Sequence, residues 1–284
     1  SIENKFCFND YENLINCSDI DIVYIALPNS FHFRYIVECI KVGKNVLVEK
    51  PAARSASELE PIIPLVKTLN IKVRVGFNHR YHRALLKAKE IIASGVLGEI
   101  MFLRGRYGHG ARVGYDREWR ANPILSGGGE LIDQGPHLID LSRWFIGDFT
   151  NVQGFAKTYY WDMPVDDNAF MILKTASEKV AFLHVSCTEW KNLFSIEIYG
   201  TQGKLDIEGL GGSYGVERIT HFHMLPEMGP PETQSWEYPM SDNSWETEMN
   251  EFYDDISLDR RPSAGLIDAY EALKVIKKIY TGKN

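Results

Sequence analysis

The chain has 284 residues, 44% of them hydrophobic and 24% charged, which is typical of a globular protein and enough material for two buried cores. A formal net charge of −7 argues against a nucleic-acid surface, no apolar run approaches membrane-spanning length, and residues 1–5 lack the features of a secretory signal. Four scattered cysteines, including Cys7, have no paired metal spacing, so we expect a cytoplasmic protein with free thiols and without a metal, nucleic-acid or membrane partner.

Helix and strand signals alternate through the first part of the chain. They comprise a short helix from Tyr11 to Cys17, a buried strand from Ile20 to Ala26, a helix from His32 to Val42, a strand from Asn45 to Val48, a helix from Ser55 or Ser57 to about Leu69, and a strand from Ile71 to Gly76. This alternation predicts βαβ units and a parallel sheet.

The strand from Asn45 to Val48 runs directly into Glu49, Lys50 and Pro51. Because Pro51 ends the strand and fixes the backbone, Lys50 is expected at the carboxyl end of a strand. In open parallel sheets the ligand crevice lies at this edge, so Lys50 is a candidate site residue. The alternative is an ordinary surface pair of Glu49 and Lys50.

From Glu99 onward the pattern changes to strands, after a helix from His82 to Ala93. The predicted strands run from Ile100 to Tyr107, Val152 to Trp161, Ala169 to Lys174, Val180 to Thr188, Phe194 to Tyr199, Lys204 to Glu208 and Val216 to His223. Many of them alternate apolar and polar residues, which indicates an antiparallel sheet with distinct faces. We expect a surface loop from Pro226 to Glu237 and two closing helices, about Ser244 to Asp259 and Ser263 to Tyr280. The expected fold class is α/β followed by α+β.

A glycine-rich segment, Ser-Gly-Gly-Gly-Glu at residues 126–130, opens a predicted helix from Gly129 to Phe145 that would pack on the sheet. Asp133 and His137 are four residues apart, so both would lie on one helical face. Glycines permit close approach, and amides at a helix start attract anionic or hydroxyl groups of a ligand. The segment therefore predicts a site, although a flexible loop with a surface histidine gives the same pattern.

These two segments together resemble the glucose-fructose oxidoreductase, inositol dehydrogenase and rhizopine-catabolism family, called Gfo/Idh/MocA, over essentially the whole chain. Further matching pieces are residues 24–32 (Tyr-Ile-Ala-Leu-Pro-Asn-Ser-Phe-His), 76–81 (Gly-Phe-Asn-His-Arg-Tyr) and 200–203 (Gly-Thr-Gln-Gly). The resemblance implies an incomplete Rossmann-type parallel-sheet domain over residues 1–80 that binds a dinucleotide. It also implies a substrate-binding and oligomerisation domain over residues 81–284, mostly antiparallel with helices on one face.

The activity that the resemblance implies is NAD- or NADP-dependent oxidation or reduction of a secondary hydroxyl on a sugar, inositol or nucleotide-linked sugar. A homodimer or homotetramer is expected as well. His137 is the candidate base because an imidazole exchanges protons near neutral pH, Asp133 would orient the hydroxyl or the imidazole, and Lys50 would bridge cofactor and substrate. The remaining cofactor-binding candidates are Pro28, Asn29, His32, Glu49 and Pro51. The remaining substrate-binding candidates are Asn78, Arg80, Trp119 and Arg120.

Arginines are concentrated in one part of an otherwise acidic chain, at Arg104, Arg106, Arg112, Arg117 and Arg120. Guanidinium groups suit a phosphate or diphosphate, whereas solvated strand and loop arginines are the ordinary interpretation for the outer members. Scattered histidines such as His221 and His223 alternate as in a strand, and we interpret them as structural.

The strand, Gly-x-Gly-x-x-Gly turn and helix that begin a dinucleotide-binding fold do not precede Tyr11. We expect a native polypeptide that extends upstream by roughly 40 to 60 residues, since a βαβ unit takes about 30 or more. Two other functions remain open: a glycoside hydrolase that uses NAD transiently, and a catalytically silent sugar-binding paralogue.

Overall fold

The computed structural model describes residues 10–282, which contain two β-sheets, ten α-helices and three short 3-10 helices. Cys7 and residues 1–5 lie outside this range. A three-stranded parallel sheet contains β1 (Ile22–Ile25), β2 (Asn45–Glu49) and β3 (Val73–Gly76), in that order. Its helices are α1 (Tyr11–Asn16), α2 (Asn29–Lys41), α3 (Ala56–Leu59) and α4 (Ile62–Thr68), so the predicted βαβ alternation is confirmed.

The second sheet has eight strands in the order β11-β10-β9-β8-β4-β7-β6-β5. Its strands are β4 (Ile100–Gly108), β5 (Phe149–Lys157), β6 (Asn168–Thr175), β7 (Val180–Ser186), β8 (Leu193–Gly200), β9 (Gly203–Glu208), β10 (Glu217–His223) and β11 (Glu232–Tyr238). All neighbours are antiparallel except β4 and β7. The helices of this part are α5 (Arg83–Ala93), α6 (Pro123–Ser126), α7 (Glu130–Asp133), α8 (Gly135–Ile146), α9 (Ser244–Ser257) and α10 (Leu266–Thr281).

Some predicted elements differ from the structure in their bounds: strand β5 ends at Lys157 and not at Trp161, and helix α2 begins at Asn29 and not at His32. Three others differ in type or continuity. The loop expected from Pro226 to Glu237 contains the edge strand β11, whose mostly exposed side chains gave no period-two burial signal. The helix expected up to Leu69 is divided into α3 and α4 at Pro61, which has no amide hydrogen to continue the helix. The helix expected from Gly129 to Phe145 is divided into α7 and α8 at Gln134.

One hydrophobic cluster joins the two sheets. It contains Val48 of β2, Leu138 of α8 and Leu183 of β7, each fully buried. Because α8 lies against β4 and β7, the segment that precedes it, α7, is held near the carboxyl end of β2. None of the helices within residues 10–282 combines the length and the apolar character that a membrane crossing requires.

Candidate active site

A cavity of about 390 Å³ opens beside the carboxyl end of β2, within the size range of small-molecule sites. Its walls come from both parts of the fold: the end of β2, helix α7, the segment after β4, and the loops after β7 and β9. The lining residues are Lys50, His109, Ala111, Arg112, Tyr115, Arg120, Asp133, Gln134, Asn192 and Tyr214. Two of the three predicted catalytic residues, Lys50 and Asp133, are therefore on one wall.

Lys50 is bound to Asp133 through two hydrogen bonds. Its Nζ donates to Oδ1 of Asp133 at 2.9 Å and to the carbonyl oxygen of the same residue at 2.7 Å. That carbonyl is available because the helix is broken: the amide of His137 donates to Gln134 at 3.2 Å instead. Pro136 contributes to the break, since it has no amide hydrogen for a continuous helix. The break thus gives Lys50 a fixed position in the cavity wall.

Asp133 lies between two cations. Its Oδ1 accepts from Lys50, and its Oδ2 accepts from Nε of Arg120 at 3.2 Å. Burial by itself would raise the pKa of Asp133, but the charges of Lys50 and Arg120 outweigh burial and lower the pKa below its ordinary value. Asp133 is therefore ionised, and this trio of side chains carries one surplus positive charge.

His137 lies deeper than the cavity wall. Its side chain is buried, and its ring stacks on that of His79 with centroids 3.6 Å apart. Within residues 10–282 its buried Nδ1 has no hydrogen-bond partner. Burial, then the neighbouring His79 and Lys50, lower the pKa of His137 well below 6.5, so the imidazole is neutral at physiological pH. The structure thus brings Lys50 and Asp133 to the cavity and leaves His137 behind that wall.

The glycine-rich turn is occupied by a carboxylate of the protein itself. Oδ1 of Asp166 accepts from the amide of Gly129 at 3.0 Å, and Oδ2 accepts from the amide of Leu131 at 2.7 Å. A Cβ on Gly129 would lie 1.9 Å from the carbonyl oxygen of Asp166. The amides of Gly129 and Leu131 therefore bind Asp166 and not a ligand, whereas the prediction of a site at this segment stays a prediction.

Two predicted cofactor residues lie at the end of β1. Pro28 precedes α2, and Nδ2 of Asn29 donates to the carbonyl oxygen of Ser126 at 2.8 Å. This bond ties the carboxyl end of β1 to the segment before the glycines. At the end of β2, Glu49 accepts a hydrogen bond from the hydroxyl of Tyr24 at 2.5 Å.

His32 also connects these two strand ends. Its Nδ1 lies 2.7 Å from the carbonyl oxygen of Pro51, and its Nε2 lies 2.6 Å from that of Leu27. Because Pro51 follows Lys50, this contact fixes the backbone next to the lysine. Both ring nitrogens of His32 thus lie within hydrogen-bond distance of backbone carbonyl oxygens, and the assignment of His32 to the cofactor stays a prediction.

Asn78 and Arg80 lie in buried networks apart from the cavity lining. Nδ2 of Asn78 donates to the hydroxyl of Ser244 at 3.0 Å. Nε of Arg80 donates to Asp140 at 2.7 Å, and a terminal nitrogen lies 3.1 Å from Asp268. These contacts join the end of β3 to helices α8, α9 and α10.

Trp119 and Arg120 lie together next to the cavity. The guanidinium of Arg120 is 4.6 Å from the centroid of the Trp119 ring, and both residues line a small cleft adjoining the cavity. Of the other concentrated arginines, Arg112 reaches the cavity and pairs with Glu118 at 2.8 Å. Arg104 is half exposed and pairs with Glu197, also at 2.8 Å, so the structure does not gather the five arginines into one site.

Sequence reasoning missed six residues of the cavity lining: His109, Ala111, Tyr115, Gln134, Asn192 and Tyr214. Asn192 and Tyr214 lie on loops that follow strands of the second sheet, about 60 and 80 residues after Asp133 along the chain. Nothing local in the sequence marks them. Their proximity to Asp133 depends on strand order, which the alternation pattern does not specify.

Comparison with known proteins adds relatives for both parts of the chain. A family model described as the NAD-binding Rossmann fold of the Gfo/Idh/MocA oxidoreductase family matches residues 1–77, and the model of the C-terminal domain matches residues 85–206. Levoglucosan dehydrogenase of Pseudarthrobacter phenanthrenivorans is 28% identical over 224 residues, which are 69% of this chain and 57% of that protein. Oxidoreductase P35 of Formosa agariphila is 35% identical over 146 residues, or 50% and 46% of the two chains. The chain thus spans about half the length of these relatives.

Solved structures share the fold. A levoglucosan dehydrogenase in complex with NADH and levoglucosan superposes with a TM-score of 0.86 at 23% identity, covering 97% of this chain and 81% of the other. An aldose-aldose oxidoreductase from Caulobacter crescentus complexed with glycerol gives 0.83 at 24% identity, covering 96% and 80%. The two family models, one for each part of the fold, together span most of the described residues. The chain belongs to the Gfo/Idh/MocA oxidoreductase family.

Proposed function

We propose that this protein is an NAD(P)-dependent oxidoreductase that acts on a secondary hydroxyl of a sugar, inositol or nucleotide-linked sugar. The observation that carries the proposal is the pair of Lys50 and Asp133, fixed on the wall of a ligand-sized cavity at the carboxyl edge of the parallel sheet. Relatives named levoglucosan dehydrogenase, inositol 2-dehydrogenase and D-xylose 1-dehydrogenase support the class of substrate.

The residues at the edge of the parallel sheet fit a nicotinamide cofactor. Lys50 has one ammonium hydrogen left after its two bonds to Asp133, and its side chain remains 14% exposed at the cavity. Pro28 and Asn29 lie at the neighbouring strand end, where dinucleotides bind in open α/β sheets. When bound, the cofactor supplies the hydride acceptor, and this chain supplies orientation and proton transfer.

In the proposed reaction Lys50 and Asp133 position the substrate hydroxyl. The surplus positive charge around Asp133 favours a developing alkoxide, because the electrostatic stabilisation is already in place before the reaction. We keep His137 as the acceptor of the hydroxyl proton, since burial keeps its imidazole neutral. Because its ring lies behind the cavity wall, this transfer requires that the bound substrate and the wall move closer to it. Asp133, which lines the cavity, precedes His137 by four residues and lies just before the helix break.

The proposal is tested by steady-state oxidation of levoglucosan, D-xylose and inositol with NAD and with NADP. We expect turnover of at least one sugar by the purified protein. Lys50→Ala should weaken cofactor binding and lower kcat together, since one cation serves both. Lys41→Met is the matched control, because Lys41 is an exposed lysine of α2 that forms a salt bridge with Glu38. Lys50→Ala kinetics equal to those of the control would refute the proposed role of Lys50.

A further inference from the structure

The loop between β9 and β10 is built to present one side chain to the cavity. It contains four glycines with positive φ, at positions 209, 211, 212 and 215. A Cβ at position 209 would lie 2.2 Å from the carbonyl oxygen of Val216, so this turn requires glycine. Between these glycines the loop carries Tyr214, which lines the same cavity as Lys50 and Asp133.

The loop is held at three points. Leu210 is buried in the core, and the amide of Gly211 lies 3.5 Å from the buried carboxylate of Glu217. Nδ2 of Asn192 donates to the carbonyl oxygen of Ser213 at 3.0 Å, which connects the loop to the neighbouring strand end. Anchored in this way, the loop gives Tyr214 a defined position on the wall of the cavity.

Tyr214 also contacts the interior of the site. Its ring centroid lies 5.2 Å from that of Tyr107, and the ring of Tyr107 lies 6.1 Å from that of His137. One aromatic residue therefore separates Tyr214 from the candidate base. Because Tyr214, Lys50 and Asp133 line the same cavity, a ligand bound there is bordered by all three residues.

The other aromatic residues near the cavity are less accessible. Tyr115 is only 5% exposed, and the guanidinium of Arg120 lies over the ring of Trp119. Tyr214 is partly buried and combines an apolar ring with a hydroxyl that can donate or accept a hydrogen bond. Such a side chain suits a polyhydroxylated ring, which has an apolar face of C–H groups and a rim of hydroxyls.

We infer that Tyr214 is a substrate-contacting residue that determines specificity, with its ring against the C–H face of a pyranose or cyclitol and its hydroxyl on a substituent. This inference rests on the proposed function. Since the aromatic contact and the hydrogen bond each contribute modestly, removing both should weaken sugar binding by about tenfold.

The test compares Tyr214→Ala, Tyr214→Phe and the control Tyr253→Ala, which removes an exposed tyrosine of α9. Calorimetry measures the Kd of inositol, D-xylose and levoglucosan and, separately, of the cofactor, and kinetics give KM for each sugar. Tyr214→Ala should raise the sugar Kd and KM about tenfold and change the ratio between sugars, while cofactor Kd stays at the control value. Tyr214→Phe should lie between wild type and Tyr214→Ala.

Sugar Kd, KM and selectivity in Tyr214→Ala equal to those of Tyr253→Ala would overturn the inference and leave the proposed function intact. Sugar binding by the wild type without oxidation would instead refute the proposed function, and the Kd comparison would still decide the role of Tyr214. A loss of cofactor binding together with sugar binding would show that the substitution disturbs the whole site and would also overturn the inference. A wild type that binds no sugar overturns both.

Discussion

At the scale of single residues, the site depends on one carboxylate shared by two cations and on a histidine kept neutral by burial. Asp133 is ionised because Lys50 and Arg120 outweigh its burial, whereas no nearby carboxylate offsets the burial of His137. At neutral pH Asp133 is therefore an anion and His137 is uncharged. Groups whose pKa values are pushed in this way are typical of sites that exchange protons.

The first prediction concerns the base. His137→Asn should lower kcat by about 100-fold or more, the usual scale for loss of a general base, with cofactor affinity nearly unchanged. Because burial lowers the pKa of His137, its neutral form persists as the pH falls, so wild-type kcat/KM should stay level down to about pH 6.5 and decline below it. A wild-type decline centred above pH 6.5, or normal turnover by the variant, would rule out this assignment.

At the scale of elements, the break between α7 and α8 positions the site. It frees the carbonyl oxygen of Asp133 for Lys50. The start of α7 is held separately, by the carboxylate of Asp166. Asp166 also accepts a hydrogen bond from the hydroxyl of Tyr280 at 2.7 Å, so α10 supports the same turn. The start of α7 is therefore fixed by contacts within the protein.

The second prediction follows from this arrangement. Asp166→Ala would leave the buried amide of Leu131 without an acceptor, at a cost of about 1–3 kcal/mol, and would leave the amide of Gly129 only its contact with the Tyr280 hydroxyl at 3.2 Å. The melting temperature should fall by several degrees, since about 1 kcal/mol shifts a domain of this size by roughly 2–4 °C. Asp162→Ala, a change in the preceding loop, is the control. Equal melting temperatures for the two variants would contradict the role given to Asp166.

The sequence predicted the elements better than the site geometry. Strand β2 and the residues that follow it were predicted because an apolar run is followed closely by a proline. Most strands of the second sheet were predicted because their apolar and polar residues alternate. The break at Gln134 was missed because Gly135 and Pro136 also suit the first turn of a helix, and the spacing of Asp133 and His137 looked continuous. Tyr214 was not predictable, because only the strand order brings its loop to the cavity.

At the scale of the whole molecule, the two sheets are joined by a buried ionic network. Arg80 follows β3 and reaches Asp140 of α8 and Asp268 of α10. This network and the shared core hold the edge of the parallel sheet against the helices that carry Asp133. The sequence-based assignment of Arg80 to the substrate stays a prediction, and its observed contacts are with carboxylates of the protein.

The third prediction is self-association through the eight-stranded sheet. Neighbouring strands β5, β6 and β7 expose Phe155, Ile172 and Phe182, each about half exposed. Ile172 and Phe182 are paired in register, and Phe155 is paired with the residue two positions before Ile172. Exposed apolar groups of this kind mark interaction surfaces, and closed symmetric dimers are the commonest assembly. Sedimentation at micromolar concentration should show a dimer or tetramer, and Phe182→Glu should shift it to monomer. A monomeric wild type would contradict this interface.

Isotope labelling tests the proposed reaction, in which a sugar bound in the cavity of Lys50 and Asp133 gives hydride to NAD(P). The protein is incubated with oxidised NAD(P) and with levoglucosan, D-xylose or inositol carrying deuterium on its carbinol carbons, and the reduced cofactor is analysed by mass spectrometry. We expect deuterium in the cofactor with the wild type and with Lys41→Met, and its appearance about 100-fold more slowly with His137→Asn. Absence of deuterium from the cofactor with every sugar, or equal rates in all three proteins, would contradict it.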